Sequence, residues 1–358
     1  MRRAPHILSV GTAAPPHYYG QEALLTAFQA AWAQQHHNPR RVEQLHRAVQ
    51  VGGRHLALPM EDYLELDFGK ANDAFIRVGT DIGAQALSAA LDAAGLPPRA
   101  LDALFTTTVT GVAAPSLDAR LINRLDLRTD LRRTPMFGLG CVAGAAGIAR
   151  VADYLAGHPT GVAALLSVEL CSLTLQRKDL SIPNLIATGL FGDGAAAVIL
   201  VGSDHPAAKG AGPGQPSVLA SRSRFYPDTE RVMGWDIGAT GFQIVLSAGV
   251  PDMVHQHMGD DVDRFLTSQG LQRQDIRRWI CHPGGPKVLQ AFESTLGLDP
   301  DDTALTWTSL REVGNLSSAS VLHVLRDTLD QRPSEPGDRS LMLAMGPGFC
   351  SELVLLQH

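Results

Sequence analysis

The chain has 358 residues, of which 18% are charged and 45% hydrophobic, with a formal net charge of -6. That balance excludes a disordered chain and a nucleic-acid binder led by a basic surface, and no run of about 18 apolar residues offers a membrane span. Gly and Pro supply 57 residues, about 16% against a usual ~12%, and the length fits two domains or one domain of two halves.

In chain order, the opening MRRAPHILSVGTAAPP holds too short an apolar stretch for a signal peptide. It reads as an N-terminal strand of a cytoplasmic protein. Residues 81–95, DIGAQALSAALDAAG, have helical periodicity and stop at Gly95, and a buried strand follows over Ala103–Thr108. Cys141 opens the helix CVAGAAGIARVADYLAG, and the strand GAAAVILVG follows the turn FGDG at 191–194. The stretch HPAAKGAGPGQP at 205–216 predicts a surface loop. Beyond it, DDVDRFLTSQG at 260–270 is again a helix stopped by glycine, and a strand ends at His282. Asn315 then opens the helix NLSSASVLHVLRDTL, and CSELVLL follows MGPG at 345–348.

Gly95-Leu96 and Gly270-Leu271 lie 175 residues apart, and Leu101 and Ile276 keep the same offset without a gap. This spacing predicts two related halves, 1–210 and 211–358, each with a helix, a strand and a glycine turn in the same order. Cys141 falls in the first half, and His282 and Asn315 fall in the second.

The four cysteines, Cys141, Cys171, Cys281 and Cys350, are far apart and show no zinc spacing. Cys141 in FGLGCVAGAAG is flanked by glycines that permit a sharp strand-to-helix turn. A helix N-terminus there would favour its thiolate, although most free cysteines are buried and inert. His282 in WICHPGGPKVL stands at a rigid strand end; alone it reads as a structural histidine. Asn315 in EVGNLSSAS alone reads as a helix N-cap. Together the three suit acyl transfer: a thiolate accepts an acyl group, and an imidazole and an amide donate to a thioester carbonyl and stabilise an enolate. That chemistry needs no metal or organic cofactor.

Five segments in order, GLGCVAGAAG, LFGDGAAAVIL, CHPGGPKVL, GNLSSAS and GPGFCSELVLL, make the sequence resemble the type III polyketide synthases, the chalcone synthase-like branch of the thiolase superfamily. The resemblance implies an α/β fold of the thiolase type, five-layered αβαβα, and a homodimer. It implies iterative decarboxylative condensation of malonyl-CoA onto an acyl-CoA starter, both thioesters being substrates rather than cofactors. Cys141 matches the family nucleophile, and His282 and Asn315 match its partners. Phe191 and Phe242 match the two gatekeeper phenylalanines, and Thr174, Cys171, Met233 and Ser317 fall where the family lines its cavity. Arg54 and Lys287 fall near the tunnel mouth, where cations would meet CoA phosphates. The sequence departs from the family at Val142-Ala143-Gly144-Ala145, often AGG there, and at Ala344-Met345-Gly346-Pro347-Gly348, often GFGPG. Small side chains at Ala113, Ala114 and Cys171 lean the reading towards a long acyl starter and an alkylpyrone or alkylresorcinol product. The alternatives are malonyl-primed synthesis of a small aromatic ring, or a single condensation by a ketoacyl synthase III-type enzyme served by acyl-carrier protein.

Overall fold

The computed structural model describes residues 4–32, 38–212 and 214–358; Pro213 of the predicted loop and the first three residues of the predicted N-terminal strand lie outside the described residues. The first half contributes β1 (His6–Ala13), β2 (His17–Gly20), α1 (Gln21–Trp32), α2 (Pro39–Ala48), β3 (Gly53–Leu56), α3 (Phe68–Ala94), β4 (Ala103–Thr108), α4 (Leu117–Arg124), β5 (Arg132–Phe137), α5 (Ala143–Ala156), β6 (Val162–Leu170), α6 (Ile182–Leu190) and β7 (Asp193–Val201). After α7 (Pro206–Lys209) come β8 (Ser217–Phe225), the hairpin β9 (Met233–Gly238) and β10 (Gly241–Leu246), α8 (Val250–Ser268), β11 (Arg278–Cys281), α9 (Pro286–Leu296), α10 (Ala304–Val313), α11 (Ser320–Gln331), β12 (Arg339–Gly346) and β13 (Cys350–Gln357).

One nine-stranded sheet runs in the order β11-β12-β13-β8-β1-β7-β6-β4-β5. Read outward from its middle, β1-β7-β6-β4 and β8-β13-β12-β11 repeat the same pairings: antiparallel, antiparallel, parallel. A single residue pair, His6 with Ser217, joins the two runs. Side-chain alternation then sets the layers. In the first run Leu166 and Val168 of β6 pack outward on α3, while Ala163 and Leu165 face α5 and α11. In the second run Met342 and Val354 face the same central helices, while Leu343 and Leu355 pack outward on α8 and α9. The layers are therefore helix, sheet, paired central helices, sheet, helix. β6 and β7 are buried along their whole length, which their unbroken apolar runs require.

α3 extends farther than its periodicity predicts. Asp67 caps it, its side chain accepting from the Lys70 amide at 2.8 Å, and Gly95 ends it in a left-handed conformation at φ 67°. Its middle carries Gly79 and Gly83, residues of low helix propensity. Both face β6: a Cβ on either would touch Val168 at 3.3 Å. The central helices meet more tightly still. A Cβ on Gly144 of α5 would lie 2.4 Å from the Ser318 carbonyl oxygen. No described helix is long and apolar enough to cross a membrane.

Candidate active site

Cys141 sits where the chain turns from strand to helix. Gly138 at φ 93° and Gly140 at φ 55° take left-handed conformations that suit glycine. A Cβ on Gly140 would also collide with the Pro347 ring at 2.7 Å. One 3-10 turn over Gly140–Val142 leads into α5. The buried thiol donates to Ser317 Oγ over 3.8 Å. Burial, the largest cause, pushes the Cys141 pKa up from 9.0 to about 12; the Ser317 hydrogen bond opposes this and the Glu169 charge adds to it. A helix end favours the thiolate, and burial acts against it. A helix terminus contributes about 0.3–1 kcal/mol, less than the ~1.4 kcal/mol of one pKa unit, so burial is the larger influence.

His282 follows β11 directly. Its N–H donates to the Leu343 carbonyl at 2.9 Å, and the Gly284 amide folds back onto its own carbonyl at 2.9 Å. Neither ring nitrogen meets a hydrogen-bond partner among the described residues, and the side chain is only 3% exposed. Burial lowers its pKa from 6.5 to about 3.

Asn315 does not cap α11, contrary to the simple reading of its sequence. Its backbone forms a parallel bridge with Phe191. The Asn315 amide donates to Leu190 O at 2.9 Å, and its carbonyl accepts from the Gly192 amide at 3.0 Å. Its side-chain Oδ1 accepts from the Ser317 amide at 2.8 Å, and Nδ2 donates to Gly284 O at 3.4 Å. A 3-10 turn over Ser317–Ala319 intervenes before α11.

Cys141, His282 and Asn315 line one cavity, together with Phe191, Cys171, Met233 and Ser317. A second apolar chamber lies beside it, walled by α1, α6 and the turn at Met60–Glu65. Cys171, Phe191, Trp235 and Ile244 line both chambers and so form the partition between them. Thr174 lines only the second chamber, its hydroxyl donating to Cys171 O at 2.7 Å. Lys287 is exposed in the first turn of α9, next to Val288, which lines the catalytic cavity.

Three sequence expectations are corrected by position. Phe242 lines neither chamber; it is buried edge-on against Phe68 and Trp235, at centroid distances of 5.8 and 6.1 Å. Ile244, two residues on along the same strand, reaches the cavity instead. Arg54 is 2% exposed, and its guanidinium donates to Gln21 Oε1 and to the Thr188 and Gly189 carbonyls, so it is committed inside the fold rather than offered to phosphates at a mouth. Ala113 and Ala114 line neither chamber, and Ala114 is exposed.

Trp235 and Ile244 carry no sequence signal of their own; the family match on that hairpin falls on Met233 and Phe242 instead. Glu169 did offer one: a carboxylate inside the apolar strand ALLSVEL. It accepts from the Val109 amide at 3.0 Å, from Thr110 Oγ1 at 2.9 Å and from Ser318 Oγ, and burial raises its pKa. It thereby ties β6 to the turn that follows Asn315. Among the described residues no group of three or more His, Cys, Asp or Glu is placed to hold a metal ion.

The chalcone and stilbene synthase models match the chain over residues 2–205 for the N-terminal domain and 217–358 for the C-terminal domain. The chain belongs to the chalcone and stilbene synthase family. This synthase is 52% identical over 356 residues to a 1,3,6,8-tetrahydroxynaphthalene synthase of Streptomyces peucetius, covering 99% of this chain and 93% of that one. It is 33% identical over 355 residues to a putative chalcone synthase of Bacillus subtilis, covering 98% of this chain and 97% of that one. The solved 1,3,6,8-tetrahydroxynaphthalene synthase of Streptomyces coelicolor, a bacterial type III polyketide synthase, superimposes with a TM-score of 0.91 at 30% identity, over 98% of both chains. The synthase is thus a type III polyketide synthase, an acyltransferase with a thiolase-like α/β fold. That membership sets aside the reading as a ketoacyl synthase III-type enzyme.

Proposed function

We propose that this synthase builds a small aromatic polyketide from malonyl-CoA units, with Cys141, His282 and Asn315 as its catalytic residues. The observation that carries the reaction is their convergence on one buried cavity. The Cys141 sulfur attacks the starter thioester; a new C–S bond forms, the bond to CoA breaks, and the departing CoA sulfur carries away the cysteine proton. Malonyl-CoA then loses CO2, and the electron pair of the broken C–C bond becomes an enolate. His282 and Asn315 donate hydrogen bonds to its oxygen. The enolate carbon attacks the Cys141 thioester, the cysteine sulfur departs, and the chain returns to CoA one ketide longer. Phe191 and the neighbouring apolar wall disfavour a free carboxylate, because an unpaired buried charge is costly.

The malonyl-primed reading is supported by the 52% identity to a tetrahydroxynaphthalene synthase over nearly the whole chain. The alkyl-starter reading loses Ala113 and Ala114, yet the apolar second chamber behind Cys171 keeps it as a second reading. Incubation with malonyl-CoA alone, and with acyl-CoA starters from acetyl to palmitoyl, separates the two by product mass. A product from malonyl-CoA alone is expected; strict dependence on an added acyl starter overturns the malonyl-primed reading. Lys287 is proposed to meet a CoA phosphate at the cavity mouth. The protein is read as a cytoplasmic homodimer, its two halves meeting in the segment around residue 210.

A further inference from the structure

The last turn of α6 ends at Phe191, and its carbonyls are the ones a helix leaves without internal partners. Each of the last three finds an outside donor. Thr188 O accepts from Arg54 Nη2, and Gly189 O accepts from Arg54 Nη1 at 2.9 Å and from Gln21 Nε2 at 3.0 Å. Leu190 O accepts from the Asn315 amide at 2.9 Å, and the Asn315 carbonyl returns a bond to the Gly192 amide at 3.0 Å. One helix end therefore carries Phe191 and anchors the backbone of Asn315, and a buried guanidinium fixes that end.

The second side of the same device is Asp193, just past Phe191. Its carboxylate accepts from the Ala57 amide at 2.6 Å and from the Ser172 amide at 2.8 Å. This holds the turn that presents Cys171 to the cavity. Arg54 and Ala57 lie at opposite ends of the same short segment, so both walls of the catalytic cavity hang from it. The base of the Arg54 side chain packs closely on the turn after Phe191: a Cβ on Gly192 would lie 3.1 Å from the Arg54 Cβ.

We propose that Arg54 is a positioning residue of this synthase: by donating from two nitrogens to the terminal carbonyls of α6, it sets Phe191 and Asn315 for decarboxylation of the extender. The proposal rests on the roles given above to Asn315 and Phe191. A planar guanidinium can serve two adjacent carbonyls and Gln21 at once, whereas a lysine ammonium is a single point of charge. Cys141 reaches this clamp only through Ser317, whose hydroxyl accepts from the thiol and whose amide donates to Asn315 Oδ1, so acyl loading depends on the clamp less than decarboxylation does.

The test uses Arg54→Lys, which keeps a buried positive charge, beside Asn315→Ala and the wild type. Three rates are read: acyl loading on Cys141 by intact mass, CO2 release from malonyl-CoA, and product formation. Arg54→Lys is expected to lose about tenfold or more in CO2 release and kcat, with loading and the KM for malonyl-CoA within about threefold of wild type. A raised KM with unchanged kcat would mean a CoA-binding arginine and overturns the proposal. Equal losses in loading and decarboxylation, tracking a fall in Tm, would mean a merely structural arginine and overturn it too. Should Arg54→Lys fail to fold, Gln21→Ala leaves the guanidinium in place but frees one side of it. That variant is expected to lose about two- to fivefold in the same step alone; wild-type CO2 release overturns the proposal. If Asn315→Ala releases CO2 at the wild-type rate, the role of Asn315 fails. If Asn315→Ala is impaired and Arg54→Lys is not, the positioning role alone fails.

Discussion

At the scale of single residues, burial disfavours the charged forms of the two proposed reacting groups. Cys141 is pushed up to about 12 and His282 down to about 3, in each case chiefly by loss of water. Both imidazole nitrogens are buried without a partner among the described residues, a cost of about 1–3 kcal/mol for each unsatisfied group. In the proposed reaction a thioester carbonyl that accepts from His282 would relieve part of that cost. The division of labour is testable. Cys141→Ala should lose the covalent acyl adduct but keep CO2 release from malonyl-CoA, because the enolate donors remain. His282→Ala should lower CO2 release about 10²–10³-fold, the usual effect of deleting one oxyanion donor. Adduct formation by Cys141→Ala, read by intact mass, would remove it from the nucleophile role.

Elements decide the shape of the cavity. The β9–β10 hairpin pairs Trp235 with Ile244, and these two close the partition with Phe191 and Cys171. Replacing Trp235 by alanine should join the two chambers and shift starter use towards longer acyl chains. A product profile unchanged from acetyl to palmitoyl-CoA would show that the indole is not the barrier. The crossing of α5 and α11 is equally specific. Gly144→Ala would place a methyl group 2.4 Å from a backbone oxygen, which cannot swing aside as a side chain can. Overpacking of this kind costs about 1–3 kcal/mol. A lowered Tm is expected, and CO2 release should fall with it because Ser318 lies three residues after Asn315. An unchanged Tm would mean that the helices separate freely.

For the whole molecule, low charge and abundant alanine and glycine match three stacked helical layers around two runs of buried strand. Ionisable groups caught inside then link stability to pH. His46 is buried, and loss of water lowers its pKa from 6.5 to about 4, with Arg54 acting in the same direction. The unfolded chain takes up that proton as pH falls below about 6.5, and the fold does not, so acidification costs up to roughly 3 kcal/mol at this site. His282 and His323 act in the same sense, while Asp193, raised by burial to about 7, acts oppositely because the fold binds its proton first. The wild-type curve is thus a difference of opposing parts, and His46→Gln isolates one. Between about pH 7 and pH 4.5 the variant should lose less Tm than the wild type. Parallel losses would mean that His46 is not held neutral.

The sequence by itself determined the chemistry and the order of the parts. Local signals are strong where one residue type is obligatory: glycines with left-handed backbone around Cys141, a strand end at His282, a buried strand over Ala103–Thr108. The strands β4 and β11 begin at 103 and 278, the same 175 residues apart. Only the tertiary structure decided which side chains reach the cavity. Phe242 and Ile244 share one strand, and nothing local tells which of them meets the cavity; the packing of Phe68 and Trp235 does. Arg54 looks like a surface cation in the sequence, and its role changes because helix α6 ends against it, more than a hundred residues further along the chain. The pKa values of Cys141 and His282 belong to the same class. A thiol at a helix end and an imidazole at a strand end are readable from sequence, but the depth at which they are buried is a property of the layers that close over them.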